Sequence, residues 1–247
     1  MAMEPSNLFM GNHKPKNSDF IVNRFIDYPK RNEESYVFNL DRLRSVLIKG
    51  ILSTEGNLAS LSDIELLTTR RFNDLSFSCT LDQSDIEEVW AMDRAIKYME
   101  ENFYKPLTRD IIEDYNYLVV IGYKKKYSGR IRQTDVVING SVYKPPSFQM
   151  LDRLFDNMLS EIGCIDGDIN KAISLILGIS KLQLFIDGNK RTALLCALHH
   201  LCYSGQPLLI MQDRFTKEYL IRMKKFYETG ENEDISNLIF KMLDTEL

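Results

Sequence analysis

Gln183-Leu184-Phe185-Ile186-Asp187-Gly188-Asn189-Lys190-Arg191-Thr192 separates two apolar helical patterns, and its reading decides the fold. Before it Ile173, Ile176, Leu177 and Ile179 recur at helical spacing; after it Leu194, Leu195, Leu198 and Leu201 do so as far as Gly205-Gln206-Pro207. A Gly-Asn turn opening onto a helix exposes backbone N–H groups, and the aligned peptide dipoles favour an anion there. Lys190 and Arg191 add full positive charge, and an arginine fork can grip phosphate oxygens two at a time. A single carboxylate beside bound phosphates, here Asp187, is an ordinary way to hold Mg2+. These residues describe a phosphate cradle. The plainer alternative is an interhelical loop whose Asp caps a helix and whose Lys and Arg are solvated.

Upstream, Leu43, Val46, Leu47 and Ile51 predict a helix from Asn39 to about residue 55, where Glu55-Gly56-Asn57 supplies a stop with Gly available for left-handed backbone. Ser60 to Asp63 can open a short helix, Asp82 or Ser84 can cap a longer one through Met99, and Thr108 can cap another carrying Ile111, Ile112, Tyr115 and Leu118. The composition changes at Tyr123–Ser147, where Lys124-Lys125-Lys126 precedes Val136-Val137-Ile138, Asn139-Gly140, Val142-Tyr143 and Pro145-Pro146. Asn-Gly between β-branched residues predicts a hairpin, the one β element of the chain. Helical patterns resume at Met150–Met158, Phe215–Tyr227 and Ile235–Leu243. The fold class is mainly α: a helical bundle with one β-hairpin flap and an N-terminal helical extension. Residues 1–38 read as an arm, 39–100 as an N-terminal helical region and 101–247 as the core domain, with the flap at about 129–147 and the decisive loop at 183–192.

A chain of 247 residues with 44% hydrophobic and 27% charged residues excludes wholesale disorder and fibrous repeats. Thirty-one Lys plus Arg against 35 Asp plus Glu leave −4, so nucleic acid and anionic membrane are not expected partners. No stretch approaches the roughly 20 apolar residues of a membrane span, and the N-terminus lacks a secretory apolar run. The expected compartment is the cytoplasm, with secretion as an effector the alternative. Cys79, Cys164, Cys196 and Cys202 lack CxxC spacing and read as reduced and structural. Histidine, the usual proton carrier near neutral pH, occurs only as His13, His199 and His200.

Phe185, Asp187, Gly188, Asn189, Lys190 and Arg191 resemble the signature of the Fic/Doc (Fido) family. In that family a His-x-Phe-x-Asp/Glu-Gly-Asn-Gly/Lys-Arg loop binds ATP phosphates and transfers AMP to a protein hydroxyl. Gly129, Arg132 and Pro145-Pro146, with Val137, Ile138, Gly140, Val142 and Tyr143, resemble the family's flap, which aligns a target segment by strand addition. Glu55-Gly56-Asn57-Leu58-Ala59-Ser60 resembles the inhibitory segment of the subgroup that carries its own inhibitor helix. The resemblance spans residues 40–245. It implies a bacterial Fic-fold protein with ATP as substrate or ligand and Mg2+ at Asp187. It also implies phosphates on Gly188, Asn189, Lys190 and Arg191, Phe185 as the structural motif residue, and Glu55 and Gly56 as regulators. The implied partners are a target protein hydroxyl aligned on the flap, a regulatory protein, and a second copy of the chain.

The departures from the signature bear on the chemistry. Gln183 stands where the family has its general-base histidine. A carboxamide does not titrate near neutral pH, so it can orient a hydroxyl but not take its proton, and loss of such help typically removes about 10²–10⁴ in rate. Along a helix His199 falls about 12 Å from the anion site and His200 points about 100° away, so neither is expected to substitute, and His13 has no reason to sit there. Leu194 replaces a second family arginine, and Lys190 resembles the Doc branch, where the reaction can become phosphate transfer. Ile51 stands where the self-inhibited subgroup prefers Ser or Thr. Glu55 keeps two readings: a helix terminus before a glycine, or a regulator paired with Lys190 or Arg191. Lys124-Lys125-Lys126 reads as a solvated face or a docking patch for an acidic target or nucleic acid, and Trp90, Tyr98 and Phe103 as packing. The first expectation is a nucleotide-binding relative of protein adenylyltransferases with weak or lost activity. The rivals are a non-catalytic regulatory module, and altered chemistry such as phosphotransfer or removal of a modification, with Glu55 activating water.

Overall fold

Three short polar side chains set three helix starts in the computed structural model, which describes residues 20, 33–69 and 81–243. Ser60 Oγ accepts from the Asp63 N–H while Asp63 Oδ2 accepts from the Ser60 N–H at 2.8 Å, a reciprocal cap. Asp82 Oδ1 accepts from the Asp85 N–H at 2.9 Å and Thr108 Oγ1 from the Ile111 N–H at 3.4 Å. The helices are α1 Glu33–Ser53, α2 Leu61–Thr68, α3 Gln83–Asn102, α4 Arg109–Val119, α5 Leu151–Gly163, α6 Asp168–Leu182, α7 Asn189–Tyr203, α8 Asp213–Thr229 and α9 Glu233–Lys241. Helix α1 begins inside the segment read as an arm. Of the rest of that arm, Phe20 is described and is buried in the core; His13, like Cys79, lies outside the described residues.

Helix α6 is buried on every side from Ala172 to Leu182, with Ser174, Ser180 and Lys181 among otherwise apolar residues, and α7 packs along it. Helix α4 lies on α7, with α3 and α1 beyond it, while α5 covers α6 and α8 touches α1. Gly50 permits a close crossing: a Cβ there would lie 2.3 Å from the Met211 carbonyl oxygen. Ser53 Oγ and Thr216 Oγ1, 2.8 Å apart, tie the end of α1 to α8. Phe103 is buried as expected for packing, whereas Trp90 is exposed at 36%. Among the described residues no helix is long and apolar enough to cross a membrane.

The hairpin expected at 129–147 is corrected. Asn139-Gly140 does turn, with Gly140 at φ +77° and the Ser141 N–H donating to the Ile138 carbonyl at 3.1 Å. The arms form no ladder; among the described residues the one bridge joins Leu209 to Leu243. A lone two-stranded hairpin is marginal in water, and here the body claims the second arm. Glu228 Oε1 on α8 accepts from Ser141 Oγ at 3.0 Å and from the Val142 N–H at 3.3 Å, and Pro145 and Pro146 have no N–H to donate.

Candidate functional site

Helix α6 stops because Gln183 takes left-handed backbone, φ 49° and ψ 59°, the one non-glycine positive φ among the described residues. Such a conformation costs on the order of 1–3 kcal/mol and persists only where the surroundings hold it. The holding groups are all present. The Gln183 N–H donates to the Ile179 carbonyl at 3.1 Å, Nε2 donates to the Ser180 carbonyl at 2.7 Å, and Oε1 accepts from Asn189 Nδ2 at 3.2 Å. Its carbonyl accepts from Arg132 Nε at 2.7 Å. Asn189 closes the loop, taking the Phe185 N–H at 2.9 Å and giving a bond to the Phe185 carbonyl at 2.8 Å, while the Phe185 ring is buried. Gly188 has φ +75°, and a Cβ there would lie 3.0 Å from Val120 Cγ2, so both backbone and space demand glycine. The N–H groups of the first turn of α7 have no helical partner, and Gly188, Asn189 and Lys190 line a cleft of about 500 Å³.

The other walls of that cleft come from distant segments. Val137, Ile138 and Gly140 at the flap turn, Met223 and Tyr227 on α8, Lys124, Gln183 and Glu55 all line it. Val142, 84% exposed, stays outside, and Tyr143 is stacked on Tyr227 with ring centroids 6.1 Å apart. Glu55 follows the end of α1, where Gly56 at φ +84° turns the chain. Glu55 Oε2 lies 3.0 Å from Lys190 Nζ and Oε1 3.8 Å from Arg191 Nε; Lys190 also donates to the Thr54 carbonyl at 2.7 Å. Ile51 packs in the core.

Arg191 departs from the expected phosphate fork. Its side chain is 5% exposed and does not line the cleft: Nη1 donates to the Val119 carbonyl at 2.9 Å and lies 3.5 Å from Glu88 Oε1. Glu88 is in turn held by Asn57 Nδ2 at 2.9 Å. The guanidinium is turned into the body, where Nη1 finds the Val119 carbonyl while the buried Nε has no hydrogen-bond partner, and Leu194, also buried, offers no second arginine.

Asp187 Oδ1 accepts from the Gly188 N–H at 2.7 Å and lies 3.6 Å from Arg191 Nη2; Oδ2 accepts from Lys124 Nζ at 2.9 Å. Burial pushes this carboxyl up, but Lys124, Arg191 and the Gly188 N–H outweigh it and hold it below the usual range. Read as part of a solvated run, Lys124 is instead a site residue. Lys125 stacks over Tyr117, 3.6 Å from the ring centroid, and Lys126 over Tyr127. For Mg2+ the donor set is poor: one carboxylate with both oxygens engaged, and among the described residues no three His, Cys, Asp or Glu converge.

Two further residues position the loop: Asn116, which escaped the sequence reading, and Arg132, which entered it only through the flap resemblance. Asn116 Nδ2 donates to the Asp187 carbonyl at 2.8 Å and its Oδ1 accepts from the Gly129 N–H at 3.0 Å, fixing loop and flap base together. Its signal was a polar residue on the apolar face of α4, four after Ile112 and three before Val119. Arg132 has a fully buried side chain; besides Gln183 it donates to the carbonyls of Thr134 at 2.6 Å and Pro146 at 2.5 Å, and its own N–H donates to the Leu184 carbonyl.

Neither described histidine reaches the loop. His199 is buried, its Nε2–H donating to the Lys105 carbonyl at 2.9 Å and its Nδ1 accepting from the Tyr115 hydroxyl at 2.8 Å. His200 Nε2 lies 3.5 Å from Asp168 Oδ1. Burial pushes the His199 pKa down to about 4. Since the unfolded chain then binds the extra proton first, this group's contribution is complete above its ordinary value of 6.5 and is lost as pH falls toward 4. The expected result is about 2 kcal/mol less stability at pH 5 than at pH 7 from His199, read from urea unfolding against a His199→Gln control. A difference equal in both proteins would refute it.

Residues 98–201 match the Fic/DOC family. No curated protein matches the chain. Among solved structures, Fic-1 from C. elegans superposes with a TM-score of 0.69 at 20% identity, covering 83% of this chain and 62% of that one. A Fic domain containing signaling protein from Bacteroides thetaiotaomicron gives 0.66 at 18%, covering 86% and 85%. A Fic family protein from Desulfovibrio desulfuricans gives 0.66 at 14%, covering 85% and 65%. The shared feature is the fold, and this chain spans less than two thirds of the C. elegans structure. The segment that matches the Fic/DOC family runs from the end of α3 into the last turn of α7, and so contains the whole loop and both helices that hold it.

Proposed function

We propose that the cleft binds the phosphates of ATP and that the protein is a relative of protein adenylyltransferases with weak or lost transfer activity. The observation carrying this reading is the Gly188-Asn189-Lys190 turn, which opens helix α7 into a cleft of about 500 Å³. Unpartnered N–H groups and the Lys190 ammonium attract an anion there. In an adenylyl transfer, a Ser, Thr or Tyr hydroxyl presented along the flap near Val137 and Ile138 attacks the α-phosphorus of ATP, and pyrophosphate leaves. In this chain position 183 offers no group to accept the hydroxyl proton: Gln183 is held as a helix cap between Ser180 and Asn189. That same restraint supports a second reading, a regulatory module that binds nucleotide without transferring it.

Glu55 competes with phosphate for Lys190 in this reading, so the end of α1 restrains the site. Glu55→Gln is expected to tighten ATP binding about tenfold by calorimetric titration, the size of an ordinary intramolecular coupling. Equal affinity in the two forms would remove Glu55 from regulation. Absence of ATP binding from both would overturn the nucleotide reading itself.

A further inference from the structure

We infer that the Lys124 ammonium is the resident counter-cation of this cleft, seated on Asp187 where a divalent cation would go, so that the site takes a polyphosphate without metal. The inference rests on the nucleotide reading above and replaces the Mg2+ expected at Asp187.

Lys124 Nζ stands 2.9 Å from Asp187 Oδ2, and both residues line the cleft. The other oxygen is closed off by the Gly188 N–H and faced by Arg191. Glu55, the remaining carboxylate in the lining, is drawn to Lys190. A magnesium ion needs oxygens at about 2.0–2.1 Å in near-octahedral array, and on Oδ2 it would crowd an ammonium already within hydrogen-bond distance. The repulsion scales with the product of the charges, so a dication meets twice the penalty of a monovalent ion. Cation and ammonium are therefore alternatives.

The turn that carries Lys124 is anchored. Gly122–Tyr127 forms a 3₁₀ segment, closed by the Ser128 N–H on the Lys125 carbonyl at 3.1 Å, and Lys125 is stacked on Tyr117. The side chain beyond this fixed backbone is about one third exposed and reaches the cleft. An ammonium has three donors, so it can keep Asp187 and also meet a phosphate oxygen. Lys124, Lys190 and Lys224 line the cleft against Glu55 and Asp187, which leaves the lining positive before any metal enters. The ligand class that follows is a free nucleoside polyphosphate rather than its metal complex.

The test compares calorimetric ATP titrations in EDTA and in excess Mg2+ for the full chain, Glu55→Gln and Lys124→Met. Each of wild type and Glu55→Gln is expected to keep its own ATP affinity, within threefold, between the two buffers. Lys124→Met is expected to bind at least tenfold more weakly in EDTA and to recover with Mg2+. Wild-type binding tenfold tighter with Mg2+ overturns the inference, as does a Lys124→Met form unaffected in EDTA. A second arm needs no nucleotide. Millimolar Mn2+ followed by electron paramagnetic resonance should be bound by Lys124→Met but not by wild type or by Lys124→Met/Asp187→Asn. Mn2+ uptake by wild type that Asp187→Asn abolishes, or no uptake by Lys124→Met, overturns the inference even if ATP proves not to bind, whereas ATP failure alone sinks only the nucleotide reading.

Discussion

Gln183→His, combined with Glu55→Gln, is expected to raise transfer of α-labelled AMP onto protein by about 10²–10⁴, the usual worth of a general base. Histidine suits the position. It is enriched several-fold in left-handed backbone, so φ 49° adds no new strain, and an imidazole loses only the two side-chain bonds that Gln183 makes with Ser180 and Asn189. Glu55→Gln is included because Lys190 is otherwise paired with Glu55 Oε2 at 3.0 Å and with the Thr54 carbonyl. Labelling is read on the protein itself and on added targets, with ATP binding measured in parallel. If the histidine form binds ATP yet labels no faster than its glutamine parent, the transferase ancestry of the chemistry is wrong. Wild-type labelling already at the histidine form's rate would show that another group takes the proton.

Arg132→Ala is expected to cost about 3–5 kcal/mol of stability, the range found when one partner of a buried charged network is removed. Its guanidinium is fully buried and serves the carbonyls of Gln183, Thr134 and Pro146. Each carbonyl left without a donor loses on the order of 1–3 kcal/mol. Burial pulls the pKa of Arg132 down while Asp135, 3.6 Å away, opposes that shift. Arg132→Lys should recover less than half of the loss, because one ammonium cannot span three carbonyls set around a planar fork. Urea unfolding measures both variants, and a loss under about 1 kcal/mol for the alanine would mean that Arg132 is not what joins flap and loop. If the variant unfolds outright, the lysine form keeps the comparison.

Sequence reading succeeded where the physics is local. Ser60, Asp82 and Thr108 announce their helices because a cap reaches only three residues along the chain. The Asn139-Gly140 turn was legible for the same reason, but the pairing of its arms was not: Glu228, nearly ninety residues later, takes the groups a ladder would need. Asn116 looks ordinary in sequence, and Arg132 was legible as part of the flap resemblance but not as the clamp on the loop, since their partners at 183–192 and 146 are distant.

The loop itself divides along that line. The sequence by itself determined a helical domain in which a glycine–asparagine turn opens a helix, and it determined that no base occupies position 183, because side-chain chemistry does not depend on context. Which charge meets which was decided only by the tertiary structure. Packing of α1 against α7 and α8 sets Glu55 beside Lys190, the 3₁₀ turn after α4 sets Lys124 on Asp187, and burial turns Arg191 away from the cleft. Charged groups act over a few ångströms in space, and separations of 63 residues for Lys124 and Asp187, or more than 130 for Glu55 and Lys190, carry no trace of that distance along the chain.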